Sequence, residues 1–377
     1  MRIVIDCRYT RLTHHDGISR YGARLVEALA RRAVPTGHSV TMLISDERQL
    51  AMLPELPWRL VSGPTSVREP FVALQVNRLN PDVVFTPMQT MGGAGRRYGL
   101  VKTLHDLIYY RNRTPPRDLN PVIRLIWRLY HLAWWPQRVL LNQADEVATV
   151  SLTSKGLIEK HRLTKRPIAV VRNAADPVAG IVAPRERPVT RDLLYMGSFM
   201  PYKNVETLAL AMHVLPGYRL HLLSKIGSAD RRRLLALAPA GAIMVHNGVG
   251  EDEYADLLSQ AFALVHASLD EGFGIPLIEA MAAGTPVVVS DIPIFREVGA
   301  DAARYFPASD PDAAAAAIRA LEDPEEWRAR SSRGREVAAR YDWDASAAVL
   351  LDALERVATT RSGGPRPPSA APARPAR

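Results

Sequence analysis

Two glutamates eight residues apart, Glu271 and Glu279, flank a glycine-containing turn in the run from Ser268 to Ser290, SLDEGFGIPLIEAMAAGTPVVVS. Gly272 and Gly274 bracket Phe273 where a backbone must come close to a ligand, and Pro276 suits the first turn of a following helix. The unpaired N–H groups at such a helix start face an anion. The pattern is helical from Ile275 to Met281, Gly284 stops it, Thr285-Pro286 turns the chain, and Val287-Val288-Val289 reads as a buried parallel strand. Glu271 therefore precedes the helix and Glu279 lies about one turn inside it. Carboxylates that accept from hydroxyls beside amides that hold an anion suit a sugar and its diphosphate.

The elements that must position these groups alternate between strand and helix in two rounds. Arg2 to Asp6, Ser39 to Ile44, Val83 to Thr86, Leu100 to Leu104 and Glu146 to Val150 read as parallel strands of a first doubly wound sheet. A second round runs through Asp192 to Met196, Arg219 to Leu223, Ala263 to His266 and Val287 to Ser290. The expected architecture is α/β, with a first Rossmann-like domain over 1–172, a linker over 173–191 and a second Rossmann-like domain over 192–342. An amphipathic helix over 343–359 follows, and then a disordered tail over 360–377, rich in Pro, Ala and Arg. In open α/β sheets ligands sit beyond the carboxyl ends of the strands, and two such sheets face one another across a cleft.

With 377 residues and 47% apolar content the chain can build two cores. Single Cys7 excludes a disulfide framework and fits a reducing compartment. Met1 to Ile5 is a short apolar strand ended by Asp6, so neither a signal-peptide core nor a membrane span is expected, and the reading places the protein in the cytoplasm or on the inner face of the membrane. Charge is uneven: residues 1–172 carry 26 Lys and Arg against 13 Asp and Glu, and the remainder carries 22 against 26. Such a field favours an anionic partner, either a bilayer or a phosphorylated acceptor. No nucleic-acid motif accompanies it, so no nucleic-acid partner is expected.

Glu271 to Glu279 resembles the Glu-x7-Glu signature of retaining GT-B glycosyltransferases of the family 4 type, which includes bacterial mannosyl- and glucosyltransferases. Further blocks follow in the family's order. Asp16-Gly17-Ile18-Ser19-Arg20-Tyr21 is similar to its Gly-Ile-Gly-Arg-Tyr loop, and Leu104-His105-Asp106-Leu107-Ile108 to its Val-His-Asp-Leu segment. Thr149-Val150-Ser151 and Arg172-Asn173-Ala174-Ala175-Asp176 resemble its Thr-Val-Ser and Pro-Asn-Gly-Val-Asp. Gly197 to Asn204 is similar to its Gly-x-Leu-x-Pro-x-Lys-Asn loop, and Gly248 to Tyr254 to the stretch before the signature helix. Ser198 stands where many members carry arginine, so Lys203 either acts without a cationic neighbour or is helped by Arg20. The resemblance implies the GT-B fold, with the C-terminal helix crossing back to the first domain.

The resemblance implies a role for each candidate, beside which a simpler reading stands open. Gly17 lets the backbone approach a phosphate, or is a plain loop glycine. Lys203 neutralises a leaving diphosphate, or is a solvated lysine. His105 contacts the sugar near its 6-hydroxyl, or is a core histidine satisfied by Asp106. Glu271 holds hydroxyls of the hexose, or complements the helix dipole. Glu279, by the resemblance, accepts from the ribose; complementing the helix dipole is a poor alternative for it, and burying it unpaired would be costly. Arg20, Ser198, Gly272, Phe273, Gly274 and Ile275 complete the donor-binding set. Asp310-Pro311-Asp312 and Asp342-Trp343-Asp344 read as helix caps rather than metal ligands, and the resemblance implies no obligatory metal or other cofactor. Pro121 to Leu141 puts Arg124, Arg128 and His131 on one helical face among apolar and aromatic residues. That stretch is either a core helix or one lying in a membrane interface.

The expected activity is retaining transfer of a hexose, mannose from GDP-mannose, to a hydroxyl of a glycan or lipid-linked acceptor. A UDP-sugar-dependent hexosyltransferase and a sugar-nucleotide epimerase of the same architecture are the alternatives. A dinucleotide-dependent oxidoreductase would need a Gly-x-Gly-x-x-Gly turn after the first strand, and Asp6 to Gly22 lacks it.

Overall fold

The computed structural model describes residues 1–115, 120–176 and 185–362. In its first half, β1 (Arg2–Asp6), β2 (Ser39–Ile44), β3 (Trp58–Leu60), β4 (Val83–Thr86), β5 (Gly99–Thr103), β6 (Glu146–Thr149) and β7 (Ile168–Val170) form one sheet in the order β3-β2-β1-β4-β5-β6-β7. In the second, β8 (Asp192–Tyr195), β9 (Arg219–Leu222), β10 (Ile243–Val245), β11 (Ala263–His266), β12 (Val287–Ser290) and β13 (Arg304–Phe306) run β10-β9-β8-β11-β12-β13. Neighbouring strands pair in parallel throughout both sheets. Helices cover both faces, which is why the central strands are buried along their whole length, even at Lys102 of β5. Strand order reverses between β1 and β4 and again between β8 and β11, and the crevices for ligands open at such reversals.

The stretches that the sequence marks as strands are strands, displaced by no more than one residue at an end. Four others escape that reading: β3, β7, β10 and β13, each three residues long and each the edge of its sheet. Edge strands lack a neighbour on one side, and at three residues each is too short for a period to be read, whether apolar throughout as in Ile243-Met244-Val245 or interrupted as in Trp58-Arg59-Leu60.

A helix over Trp343–Ser362 returns to the first sheet, packing on the Gly17–Ala33 helix and on β5. Two bonds fix its start: Trp343 Nε1 donates to Asp176 at 3.2 Å, and Ser346 Oγ donates to the Arg172 carbonyl at 2.9 Å. One apolar cluster therefore runs from Ile3 and Ile5 through Leu350 and Leu354 to Leu277 and Ile278, binding the halves through a shared core. The helix continues past the expected end at 359 to Ser362, and the rest of the expected disordered tail, 363–377, lies outside the described residues. So does 177–184 of the expected linker; beyond it Arg185 donates to the carbonyls of Leu258 and Ala261 at 3.0 and 2.9 Å.

The single helix expected over 121–141 is two helices, Pro121–Tyr130 and Trp135–Asn142. Pro136 explains the break, because its ring cannot follow a continuous helix and is tolerated only in a first turn. His131 caps the first helix and its ring packs among Tyr109, Tyr110, Trp127 and Tyr130, so it does not share an outward face with Arg124 and Arg128. Nor is this a core helix: Ile126 and Leu129 are 60% and 58% exposed.

Candidate active site

Loops that follow strands of both sheets meet at one cleft of about 850 Å³. From the first half it is lined by Gly17, Arg20, His105, Asp106 and Asn173, and from the second by Gly197, Lys203, His266, Glu271 to Ile275, and Glu279. Each side chain owes its place to a local device. Asp16 caps the Gly17–Ala33 helix by accepting from the Ser19 amide at 2.9 Å, which sets Gly17 at the helix start and Arg20 one turn in. A Cβ on Gly17 would come no nearer than 3.9 Å to Ile275 Cδ1, so the space above this glycine is open to a ligand. Pro201–Lys203 is a short 3-10 turn after β8 that aims Lys203 inward.

The turn ahead of the second carboxylate is forced by sterics. A Cβ on Gly272 would lie 2.5 Å from Asp106 Oδ2 of the opposite half, and Gly274 adopts the left-handed φ of 95° from which the Ile275–Ala282 helix starts. Glu271 lies just before that helix and Glu279 is buried within it.

The two glutamates are partnered differently. Glu271 forms an ion pair with Lys203, and both side chains are almost wholly buried. Burial pushes the Glu271 carboxyl up, but the Lys203 ammonium outweighs it and holds the group below the usual carboxylate range. Glu279 accepts from Arg20 at 2.7 Å and from the Tyr254 hydroxyl at 3.1 Å. There burial wins, and the Glu279 carboxyl is raised despite Arg20 and Tyr254. Arg20 also faces Asp176 at 3.9 Å and Glu251 at 3.7 Å, so its polar contacts are with carboxylates.

His105 is not satisfied by Asp106. Its Nε2 donates to the Pro87 carbonyl at 2.8 Å, which leaves Nδ1 as an acceptor, while Asp106 accepts from the Ile108 amide at 2.9 Å. Burial pushes the His105 imidazolium down to about 4, so the ring is neutral at ordinary pH. Ser198 is the one candidate that the structure does not bring to the cleft: it is exposed, and its carbonyl accepts from the Tyr195 hydroxyl at 2.5 Å. Asp310 caps the Pro311–Arg319 helix and Asp342 accepts from the Ala345 amide, both as caps. Among the described residues no three His, Cys, Asp or Glu side chains gather as metal ligands would.

Sequence reasoning passed over three groups here. Tyr254, the second partner of Glu279, lies in a stretch quoted only for its resemblance. Asp270 joins the halves by accepting from Arg111 at 2.5 Å and Asn112 at 3.0 Å, and burial pushes its carboxyl up to about 6 although Arg111 opposes the shift. His266 ends β11 inside the cleft, and its one signal is a polar residue closing an otherwise apolar strand, ALVH.

Two parallel doubly wound sheets that share a cleft with these groups define a GT-B architecture. Residues 15–178 match the family model Glycosyltransferase Family 4 and residues 184–337 match Glycosyl transferases group 1. The chain is 27% identical over 343 residues to the O-antigen chain mannosyltransferase RfbU of Salmonella typhimurium, covering 87% of this chain and 92% of that one. It is 34% identical over 176 residues to a phosphatidyl-myo-inositol mannosyltransferase of Mycolicibacterium smegmatis, 44% of this chain and 45% of the relative. The backbone superposes on a sucrose-phosphate synthase from Thermosynechococcus elongatus with a TM-score of 0.72 at 20% identity, over 96% of this chain and all of the other, a likeness of fold. The chain belongs to the GT-B glycosyltransferases.

Proposed function

We propose that this glycosyltransferase moves mannose from GDP-mannose, with retention at the anomeric carbon, to a hydroxyl of a glycolipid or polysaccharide precursor. The observation that carries the reading is the convergence of Lys203, Glu271 and Glu279 from one half with Gly17 and His105 from the other on a single cleft. In this reading Glu279 accepts from the ribose hydroxyls and Glu271 from those of the hexose. His105 Nδ1, left free to accept, takes a bond from the sugar near its 6-hydroxyl. As the bond from the anomeric carbon to the phosphate oxygen breaks, the acceptor oxygen bonds on the same face and its proton passes to the leaving phosphate. Lys203 and the amides at the start of the 275–282 helix stabilise the charge that collects on the diphosphate. The mannosyl preference is supported by the names of the relatives alone; a UDP-hexose donor is the second reading.

The test is a panel of nucleotide sugars, read by nucleotide release with and without a lipid extract and by the anomeric configuration of the product. Acceptor-dependent release of GDP from GDP-mannose with an α-linked product is expected. Epimerisation without acceptor, or inversion, overturns the reading. Activity is expected to survive excess chelator; loss restored by manganese or magnesium contradicts the absence of a metal requirement.

We further propose that the acceptor is reached at an anionic bilayer. Ile126 and Leu129 stand 60% and 58% exposed on the Pro121–Tyr130 helix that carries Arg124 and Arg128, and Trp135 beyond it is 64% exposed. Trp134, by contrast, is held between Tyr110 and His161 at ring distances of 4.1 and 4.2 Å. No helix among the described residues is long and apolar enough to cross a membrane. Binding to acidic vesicles that falls with salt is expected, and Arg124→Glu with Arg128→Glu should weaken it by about 1 kcal/mol per charge removed. Equal binding to neutral and acidic vesicles contradicts it.

A further inference from the structure

His266 is 2% exposed and closes β11 at the reversal of strand order in the second sheet, beside the Gly197 turn that follows β8. Its ring lies near those of Tyr195 and Phe295, at centroid distances of 4.9 and 6.1 Å. A Cβ built on Gly197 would lie 3.6 Å from its Cε1, an ordinary contact, and 3.0 Å from the Tyr195 hydroxyl, so the Gly197 turn runs beside the ring. Among the described residues neither Nδ1 nor Nε2 has a hydrogen-bond partner. A buried imidazole has one donor and one acceptor, and leaving either unmade costs free energy that an aromatic ring in the same place would not. Such an orphaned group lining a cleft is explained when a ligand supplies the partner.

We infer that His266 is a further donor-binding residue, its ring N–H given to a phosphate oxygen of the nucleoside diphosphate. Position selects that part of the ligand. The diphosphate in an open α/β sheet sits at the reversal of strand order, here between the ends of β8 and β11, where His266 and the Gly197 turn meet. Lys203, the cation assigned to the same phosphates, bears on this ring: burial first, then the Lys203 ammonium, push the His266 imidazolium down to about 3. Glu271 opposes that shift without reversing it, so the ring enters as a neutral donor. The inference rests on the nucleotide-sugar reading above and extends it to a residue outside the signature.

Binding of GDP and UDP by the full chain, measured by calorimetry, tests it. Wild type should bind at least one of them, and His266→Phe, which fills the site between Tyr195 and Phe295 without the N–H, should bind that nucleotide on the order of 10- to 100-fold more weakly. The same variant should unfold at a temperature equal to or above that of wild type. His266→Gln, which keeps a donor, should lie within a few-fold of wild type. Unchanged affinity in His266→Phe overturns the inference while leaving the donor reading intact. Equal losses in the Phe and Gln variants also overturn it, because packing rather than the N–H would then govern binding. A wild-type chain that binds neither nucleotide overturns the donor reading itself, and this inference with it.

Discussion

The second half of the chain pairs the charged side chains Lys203 and Glu271 from within, whereas the first half orients His105 and Asp106 on its own backbone and sends Arg20 and Arg111 to carboxylates of the second. Lys203 pairs with Glu271 inside one sheet's loops, so that pair exists whatever the distance between the halves. Arg20 reaches Glu279 across the cleft, Arg111 and Asn112 reach Asp270, and Glu297 accepts from the amides of Leu152 and Thr153 at 2.7 Å, all between halves. Charge follows the same division. The first half holds the excess of Arg and Lys and the exposed apolar helix, and the second holds the carboxylates of the signature.

The largest effect that sharpens this contrast belongs to Lys203. Lys203→Ala should lower kcat at saturating donor by about 2.7 to 4 kcal/mol, the scale of losing one preorganised electrostatic donor. Lys203→Arg should recover only part, since its planar fork differs from a point charge. Unchanged kcat in the alanine variant removes Lys203 from the chemistry.

Next in size is the dependence of stability on pH. His105 and His266 are held neutral in the fold, at about 4 and about 3, below the value near 6.5 of an unfolded chain. The unfolded state then binds more protons, so the stability these rings contribute is present above about pH 6.5 and is lost as pH falls toward 4 and 3. Urea unfolding at pH 8 and pH 5 should differ by about 2 kcal/mol for each ring, and His266→Phe should remove its share. A slope untouched by His266→Phe contradicts the buried neutral state.

The smallest effect probes the contact between halves. Arg20→Ala should weaken nucleoside diphosphate binding less than tenfold, because Tyr254 still donates to Glu279 and Lys203 is untouched. A loss as great as that in Glu279→Ala would show that the second half is not preformed.

What the residues disclosed beforehand divides along similar physical lines. Long apolar runs such as Val287-Val288-Val289, and the Gly272-Phe273-Gly274 turn with its two glutamates, are local patterns, and the structure builds the expected elements from them. Three-residue edge strands such as β10 carry too little pattern to be read. The break at Pro136 was readable, since a proline inside a helical pattern ends it, yet the apolar periodicity around it masked the signal. Partnerships across the cleft were not readable, because Arg20 and Glu279 are brought together by the packing of two sheets and nothing in their spacing fixes it. Ser198 shows the converse, a residue placed in the site by its motif and left outside it by the turn.

The central claim is that Glu271 and Glu279 divide one donor between sugar and nucleotide, and the most direct measurement is the affinity of their alanine variants for GDP and for GDP-mannose. Glu279→Ala should weaken both ligands by similar factors, since both contain the ribose, and Glu271→Ala should weaken GDP-mannose while leaving GDP close to wild type. Wild-type affinity of both variants for both ligands, with full transfer rates, would contradict the assignment of this cleft.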